Sequence, residues 1–148
     1  MAYKQRAYGS FKADLEQFAN ETEEALLDVT RASLQDLVMN MQTPVVKGGR
    51  MRVDTGFLRN SGLANIGSMP SGESVRPKEA TKGQYNWNPD SLNAVLAKLK
   101  VGDVFYWGWT AEYARPRELY DGFMEAATMQ WARIVAFNAD TLRRKRKK

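Results

Sequence analysis

Few residues in this chain have the chemistry that catalysis or metal binding needs. It contains no histidine and no cysteine. That removes the usual general base at neutral pH, the thiolate nucleophile, disulfides and every histidine- or thiolate-ligated metal. Carboxylates, lysine, tyrosine and serine are what remain. Glu21, Glu23, Glu24 and Asp28 form one acidic cluster. Glu24 and Asp28 are four apart and share a helical face, but with no histidine to join them the cluster reads as a solvated helix surface. Lys47-Gly48-Gly49-Arg50 has the residue types of a phosphate-binding loop. It lacks that loop's spacing and the Lys-Ser/Thr pair that would reach phosphate and metal, so it reads as a mobile basic loop. Glu112 and Glu118 flank Tyr113, where they suit a salt bridge to Arg115 or Arg117 and a charge at a helix N-terminus. No nucleophile stands at a convincing spacing from a base. The expectation is a protein without enzymatic activity, cofactor or metal.

Two further stretches suggest binding. Residues 143–148, Arg143, Arg144, Lys145, Arg146, Lys147 and Lys148, are all basic. Without them the 22 basic residues fall to 16 against 17 acidic, so a net charge of +5 becomes −1. The body is nearly neutral and the basic character sits at one end, unlike a domain with a basic binding face. Six like charges repel and are expected to fray into solvent unless a polyanion or an acidic protein surface meets them. Val104-Phe105-Tyr106-Trp107-Gly108-Trp109 is dense in aromatics, as a stacking platform for single strands would be. It has no lysine or arginine of its own, so a core strand is the better reading. Alternation puts Phe105, Trp107 and Trp109 on one face and Tyr106 with Gly108 on the other.

These residues must be positioned by a fold, and the chain's 148 residues suffice for one domain with a real core. Ser10 can cap a helix running to about Gln42. Its apolar positions, among them Phe11, Leu15, Phe18, Ala25, Leu26, Val29, Leu34, Leu37, Val38 and Met41, recur at spacings of mostly three, four or seven. Pro44 ends it. A rod of roughly 48 Å exceeds what a compact domain of this size needs, so either part of it projects toward another subunit or the helix bends along one core. Residues 43–52 read as a loop, 63–66 as a strand and 68–90 as a second, exposed loop rich in Pro, Gly, Ser, Lys and Glu. Asp90 can cap a short helix bearing Leu92, Val95, Leu96 and Leu99. A last helix is predicted from about Arg117 to Asp140, with Gly122 weakening its start. The domain is thus expected over residues 1–142 and the basic tail over 143–148. No apolar run approaches the roughly 20 residues of a membrane helix, and no apolar segment follows the first residues as a signal peptide would require.

Between the first helix and the strands lies Val53-Asp54-Thr55-Gly56-Phe57-Leu58-Arg59-Asn60-Ser61. Asp54 and Thr55 are good helix caps, and Gly56 permits backbone angles that other residues resist. The stretch predicts a short turn that pins Phe57 and Leu58 and shows a polar edge of Arg59, Asn60 and Ser61.

Pro44 and Val45, followed by Val53-Asp54-Thr55-Gly56 and Leu58-Arg59-Asn60-Ser61, resemble the Pro-Val-Asp-Thr-Gly-x-Leu-Arg-Asn-Ser pattern of tail-completion or neck proteins of tailed bacteriophages. Asn93-Ala94-Val95-Leu96, Leu99-Lys100-Val101-Gly102-Asp103 and Tyr113-Ala114-Arg115 with Glu118 resemble that family's later pattern. The resemblance spans about residues 10–138. It implies an α+β fold, a long N-terminal helix and a C-terminal helix packed on a small twisted antiparallel sheet. It also implies a structural virion part at the head–tail junction, assembled in the host cytoplasm as a ring of identical subunits around the DNA channel. Six copies are the usual number, twelve on the portal side. Its neighbours would be other neck, portal-side or tail-terminator proteins. Asp54, Thr55, Gly56, Leu58 and Arg59 would form one subunit-contact turn, and Tyr113, Ala114, Arg115 and Glu118 a second. The main alternative is a small DNA-binding protein that uses the basic end.

Overall fold

The computed structural model describes residues 8–147. The Phe11 side chain and Lys148 lie outside the described residues and side chains, and Ser10 falls inside the first helix, Tyr8–Met41, rather than at its cap. The fold is α+β, with helices packed on one another and on a two-stranded antiparallel sheet. Helix α1 spans Tyr8–Met41, 34 residues or about 51 Å. A short helix α2, Phe57–Asn60, leads into strand β1, Gly62–Ile66. Helix α3, Asp90–Ala97, precedes strand β2, Phe105–Trp109. Three helices complete the chain: α4, Ala114–Asp121; α5, Phe123–Thr128; and α6, Trp131–Arg146.

The apolar stripe of α1 is used unevenly. Val38 and Met41 are buried and Leu34 and Leu37 half-buried, but every described side chain from Lys12 to Glu24 is exposed. Leu15 and Phe18 stand in water, as does Leu26 further along. The C-terminal half carries the packing. Arg31 donates from Nε to the Leu96 carbonyl at 2.9 Å and from Nη2 to the Leu99 carbonyl at 2.7 Å. It thereby ties α1 to the backbone at and just past the end of α3. Asn138 donates to Ser33 Oγ at 3.3 Å and Asp36 Oδ2 at 2.9 Å, while Gln130 shares a surface hollow with Asn40. Rising numbers in α6 thus meet falling numbers in α1, and the two helices run antiparallel.

Strands β1 and β2 pair from Gly62 opposite Trp109 to Ile66 opposite Phe105. The face carrying Phe105, Trp107 and Trp109 spans two apolar clusters. Val38, Leu92 and Leu96 form one, with Phe105 and Trp107 packed against it. Met51, Leu58, Ala111 and Phe123 form the other, with Trp109 against it. Trp107 and Trp109 meet edge to face at 5.9 Å, and Trp109 meets Phe123 at 4.9 Å, so the strand links the two.

The stretch 43–52 is a loop, as expected, and it is closed at its base. A 3-10 turn over Val45–Lys47 tops it, the Val45 N–H bonds the Met51 carbonyl at 3.0 Å, and the Met51 side chain is fully buried. Several expectations are corrected. Asn88, not Asp90, caps α3, its Oδ1 accepting the Asp90 N–H at 2.8 Å. The single C-terminal helix expected from Arg117 is three helices. Gly122 takes a left-handed φ of 64°, which other residues resist, and so ends α4. The last helix also runs further than the expected Asp140: α6 continues through Arg146, so the basic run is helical over Arg143–Arg146. Its cations sit in the last turn, where the helix dipole favours positive charge, and Arg144 pairs with Asp140 at 2.9 Å.

Burial separates two phenylalanines. Phe123, 2% exposed, has its ring against Trp109, whereas Phe18 is 68% exposed. Phe123→Ala is expected to destabilise the chain by about 3–5 kcal/mol. Phe18→Ala should fall within about 0.5 kcal/mol of the parent. Urea unfolding of both variants measures the difference.

Candidate functional site

The two turns singled out in the sequence pack against each other. Residues 52–59 together with Arg76, Glu112, Tyr113 and Arg117 line an open cleft of about 560 Å³. Phe57 joins the turns, with its ring 5.3 Å from Tyr85 and 6.2 Å from Tyr113. The Thr55 hydroxyl accepts the Phe57 N–H at 3.2 Å, so Thr55 does part of the capping expected of it. Asp54 does none through its side chain. Its carbonyl accepts the Gly83 N–H, and the Thr55 carbonyl the Tyr85 N–H, each at 2.8 Å. The loop 68–90 is therefore stitched to the turn at this point. A Ser74–Ala111 bridge fixes it again.

Gly56 is required at the centre of the turn. Its φ is +83°, and a Cβ there would stand 2.0 Å from the Tyr85 carbonyl oxygen. The polar edge expected of Arg59, Asn60 and Ser61 is exposed only at Asn60. Ser61 is buried, with its hydroxyl donating to the Leu58 carbonyl at 2.7 Å and accepting the Ala111 N–H at 3.1 Å. Arg59 is half-buried. Its Nε donates to the Gln42 carbonyl at 2.7 Å, and its guanidinium lies 5.3 Å from the centre of the Trp87 ring. Burial lowers its pKa, yet a guanidinium remains charged.

The expected contact residues divide by exposure. Thr55, Gly56 and Leu58 are buried within the chain and hold the turn from inside. Asp54 is exposed at the cleft. Ala114 packs on the cluster around Met51 and Phe123. Arg115 and Glu118 line a separate groove with Met69, Gly108 and Met124. The Glu118 carboxylate accepts the backbone N–H groups of Met124 at 2.8 Å and Glu125 at 2.9 Å. It caps α5 and places negative charge at a helix N-terminus, as one of its expected roles required. Arg117 binds Asp121 through contacts of 2.7–3.1 Å rather than Glu112 or Glu118. Arg52 approaches the same buried carboxylate at 3.6 Å. Arg143, Arg144, Lys145, Arg146 and Lys147 belong to neither turn; all five are exposed at the end of α6.

Sequence reasoning missed Arg52, Arg76 and Gln42. Arg76 lies 5.5 Å from the centre of the Tyr113 ring, brought there by a loop whose path no local pattern announces. Four arginines, Arg52, Arg59, Arg76 and Arg117, line the cleft with Asp54 and Glu112, and two of them, Arg117 and Arg52, approach Asp121. Among the described residues no group of three or more His, Cys, Asp or Glu could hold a metal ion. Burial raises the Tyr113 pKa. Arg76, the Leu58 backbone and the Thr55 hydroxyl act to lower it, and Asp54 adds to the rise.

No family model, curated protein or solved structure matches this chain. Among the described residues, no helix is long and apolar enough to cross a membrane.

Gly56→Ala introduces both strain and a clash with the Tyr85 carbonyl. It should cost at least about 2 kcal/mol in chemical denaturation. Tyr113 gives a pH signature. A pKa raised by folding contributes stability that is present below the unfolded value, about 10, and is lost as pH rises through the folded one. Melting temperatures measured from about pH 8 to 11 should therefore fall more steeply for the parent than for Tyr113→Phe. Equal slopes would show that the raised pKa has no weight in stability.

Proposed function

We propose that this chain is a structural subunit of the neck of a tailed bacteriophage, joined to copies of itself in a ring at the head–tail junction. The observation that carries the reading is α1. Its N-terminal half keeps Leu15, Phe18 and Leu26 in water, 53%, 68% and 54% exposed, and a helix with an apolar stripe is most stable with that stripe covered. The resemblance of Val53–Ser61 and of Tyr113-Ala114-Arg115 to the neck pattern supports the same reading, as does the close packing of those two turns. A ring of identical subunits is built from heterologous contacts, in which one face meets a different face of the next copy. A projecting helix supplies one such face. Six copies form the expected ring, and twelve if the protein belongs to the portal side. Its other partners would be the adjoining neck, portal-side or tail-terminator proteins. It would reside in the virion, and in the host cytoplasm during assembly. The role needs no enzymatic step.

One observation favours a second reading, DNA binding. The cations from Arg143 to Lys147 are all exposed on an ordered helix end, where they could meet phosphates in the channel or elsewhere.

Deleting the gene from its phage and imaging the particles by electron microscopy tests the proposal. Filled heads and separate tails are expected. Normal joined particles would refute the neck role and leave DNA binding as the function to pursue.

A further inference from the structure

Two blocks of opposite charge lie on the two long helices. Residues 13–30 hold six acidic side chains and no lysine or arginine, whereas residues 143–148 are all basic. Both segments are open to solvent at their charged positions, with Glu21, Glu23, Glu24 and Asp28 exposed on α1 and Arg143 to Lys147 exposed on α6. Each also carries apolar surface that the fold leaves uncovered. On α1, Glu21 lies three residues after Phe18, and Asp28 three after Ala25, so helical spacing sets these acids along the border of the stripe. On α6, Phe137, Thr141, Arg144 and Lys145 fall at positions i, i+4, i+7 and i+8 and line a shallow surface hollow of about 360 Å³. Phe137 at one end of it is 67% exposed. Arg144 has one partner, Asp140 on its own helix, and no ion pair joins the two charged segments among the described residues.

We infer that these two surfaces meet between copies of the chain. The acidic N-terminal half of α1 in one copy lies along the Phe137–Lys145 stripe of α6 in a second copy, with Phe18 and Leu15 against Phe137 and the bordering glutamates against Arg144, Lys145 and Arg143. The contact has the form of an amphipathic helix seated on an apolar strip with a charged rim. The second copy is the occupant because the charge of its α1 complements that of the strip. The apolar stripe of α1 would be covered, and the cations of α6 would be paired without nucleic acid. The inference rests on the ring reading and names one of its contacts. Opposite charges set the register and speed association, and salt weakens both effects.

The test uses two full-length variants. One is Glu21→Lys/Glu23→Lys/Glu24→Lys and the other is Arg143→Glu/Arg144→Glu/Lys145→Glu. All substituted positions are exposed, so both variants should fold, which circular dichroism checks. In sedimentation velocity over a range of concentrations, the parent should self-associate more strongly at low salt. Each variant alone sets like charge against like and should associate about tenfold more weakly, a change of about 1.4 kcal/mol. An equimolar mixture restores opposite charges at every junction and should recover the parent's association. Phe18→Ala should weaken the parent in the same assay. The contact is overturned if the parent stays monomeric, if either variant associates like the parent, or if the mixture fails to recover. It is also overturned if the Arg143, Arg144 and Lys145 substitutions abolish binding to a DNA duplex yet leave association intact. Failure here is separable from failure of the neck role: separated heads and tails in the deletion mutant, with no recovery in the mixture, would keep the ring and discard this contact.

Discussion

The buried side chain of Gln42 fastens three distant parts of the chain. Its Nε2 donates to the Arg59 carbonyl at 2.8 Å, and its Oε1 accepts the Trp109 indole N–H at 2.8 Å. Its own carbonyl accepts Arg59 Nε at 2.7 Å. The residue sits one position past α1 and is 0% exposed. A polar group in that position is tolerated only when its bonds are made, and leaving a partner unpaired costs about 1–3 kcal/mol. The end of α1, the turn before β1 and the last residue of β2 are therefore fixed together. The cleft inherits its shape from that junction, because Arg59 and Trp109 are the inner supports of the two turns that line it.

The aromatic strand converts this local junction into a whole fold. Trp107 packs toward α3 and α1, and Trp109 toward α5 and the buried Met51. The short strand thus serves two clusters at once, and the sheet needs only one partner strand. Parts of the molecule far from this spine contain little buried surface. No described side chain of α6 is buried, and every described side chain of α1 from Lys12 to Glu24 is exposed. The surfaces free for association are thus the ones the core does not use, while the residues that give the turns their sequence signature are largely consumed in holding them.

Much of this was legible in the sequence where one local pattern dominated. The spacing of Val29, Leu34, Leu37, Val38 and Met41 defined α1, Pro44 ended it, and the aromatic run located β2. The exposed Leu15 and Phe18 fitted the same period, which is why periodicity could not separate the packed half of α1 from the bare half. The C-terminal break was harder, since Gly122 could weaken a helix or end it, and only the left-handed backbone with the Glu118 cap decides between these. The basic run was misjudged because repulsion was weighed without the dipole of the helix behind it. At the cleft, Thr55, Gly56 and Tyr113 could be named in advance. Arg76, Arg52 and Gln42 could not, because each reaches its place through tertiary contacts that leave no spacing to read.

The tie between Asn138 and Ser33 joins residues 105 positions apart. A ribosome adding about 5–20 residues per second therefore completes Ser33 roughly 5–20 s before Asn138 exists. In that interval α1 has been made and α6, which packs along it, has not, so the part of α1 that α6 covers faces water. The carboxylates of Glu21, Glu23, Glu24 and Asp28 give the waiting segment a net negative charge, which opposes clumping among nascent chains. The acidic character of α1 would thus act during synthesis, before α6 is present to meet it.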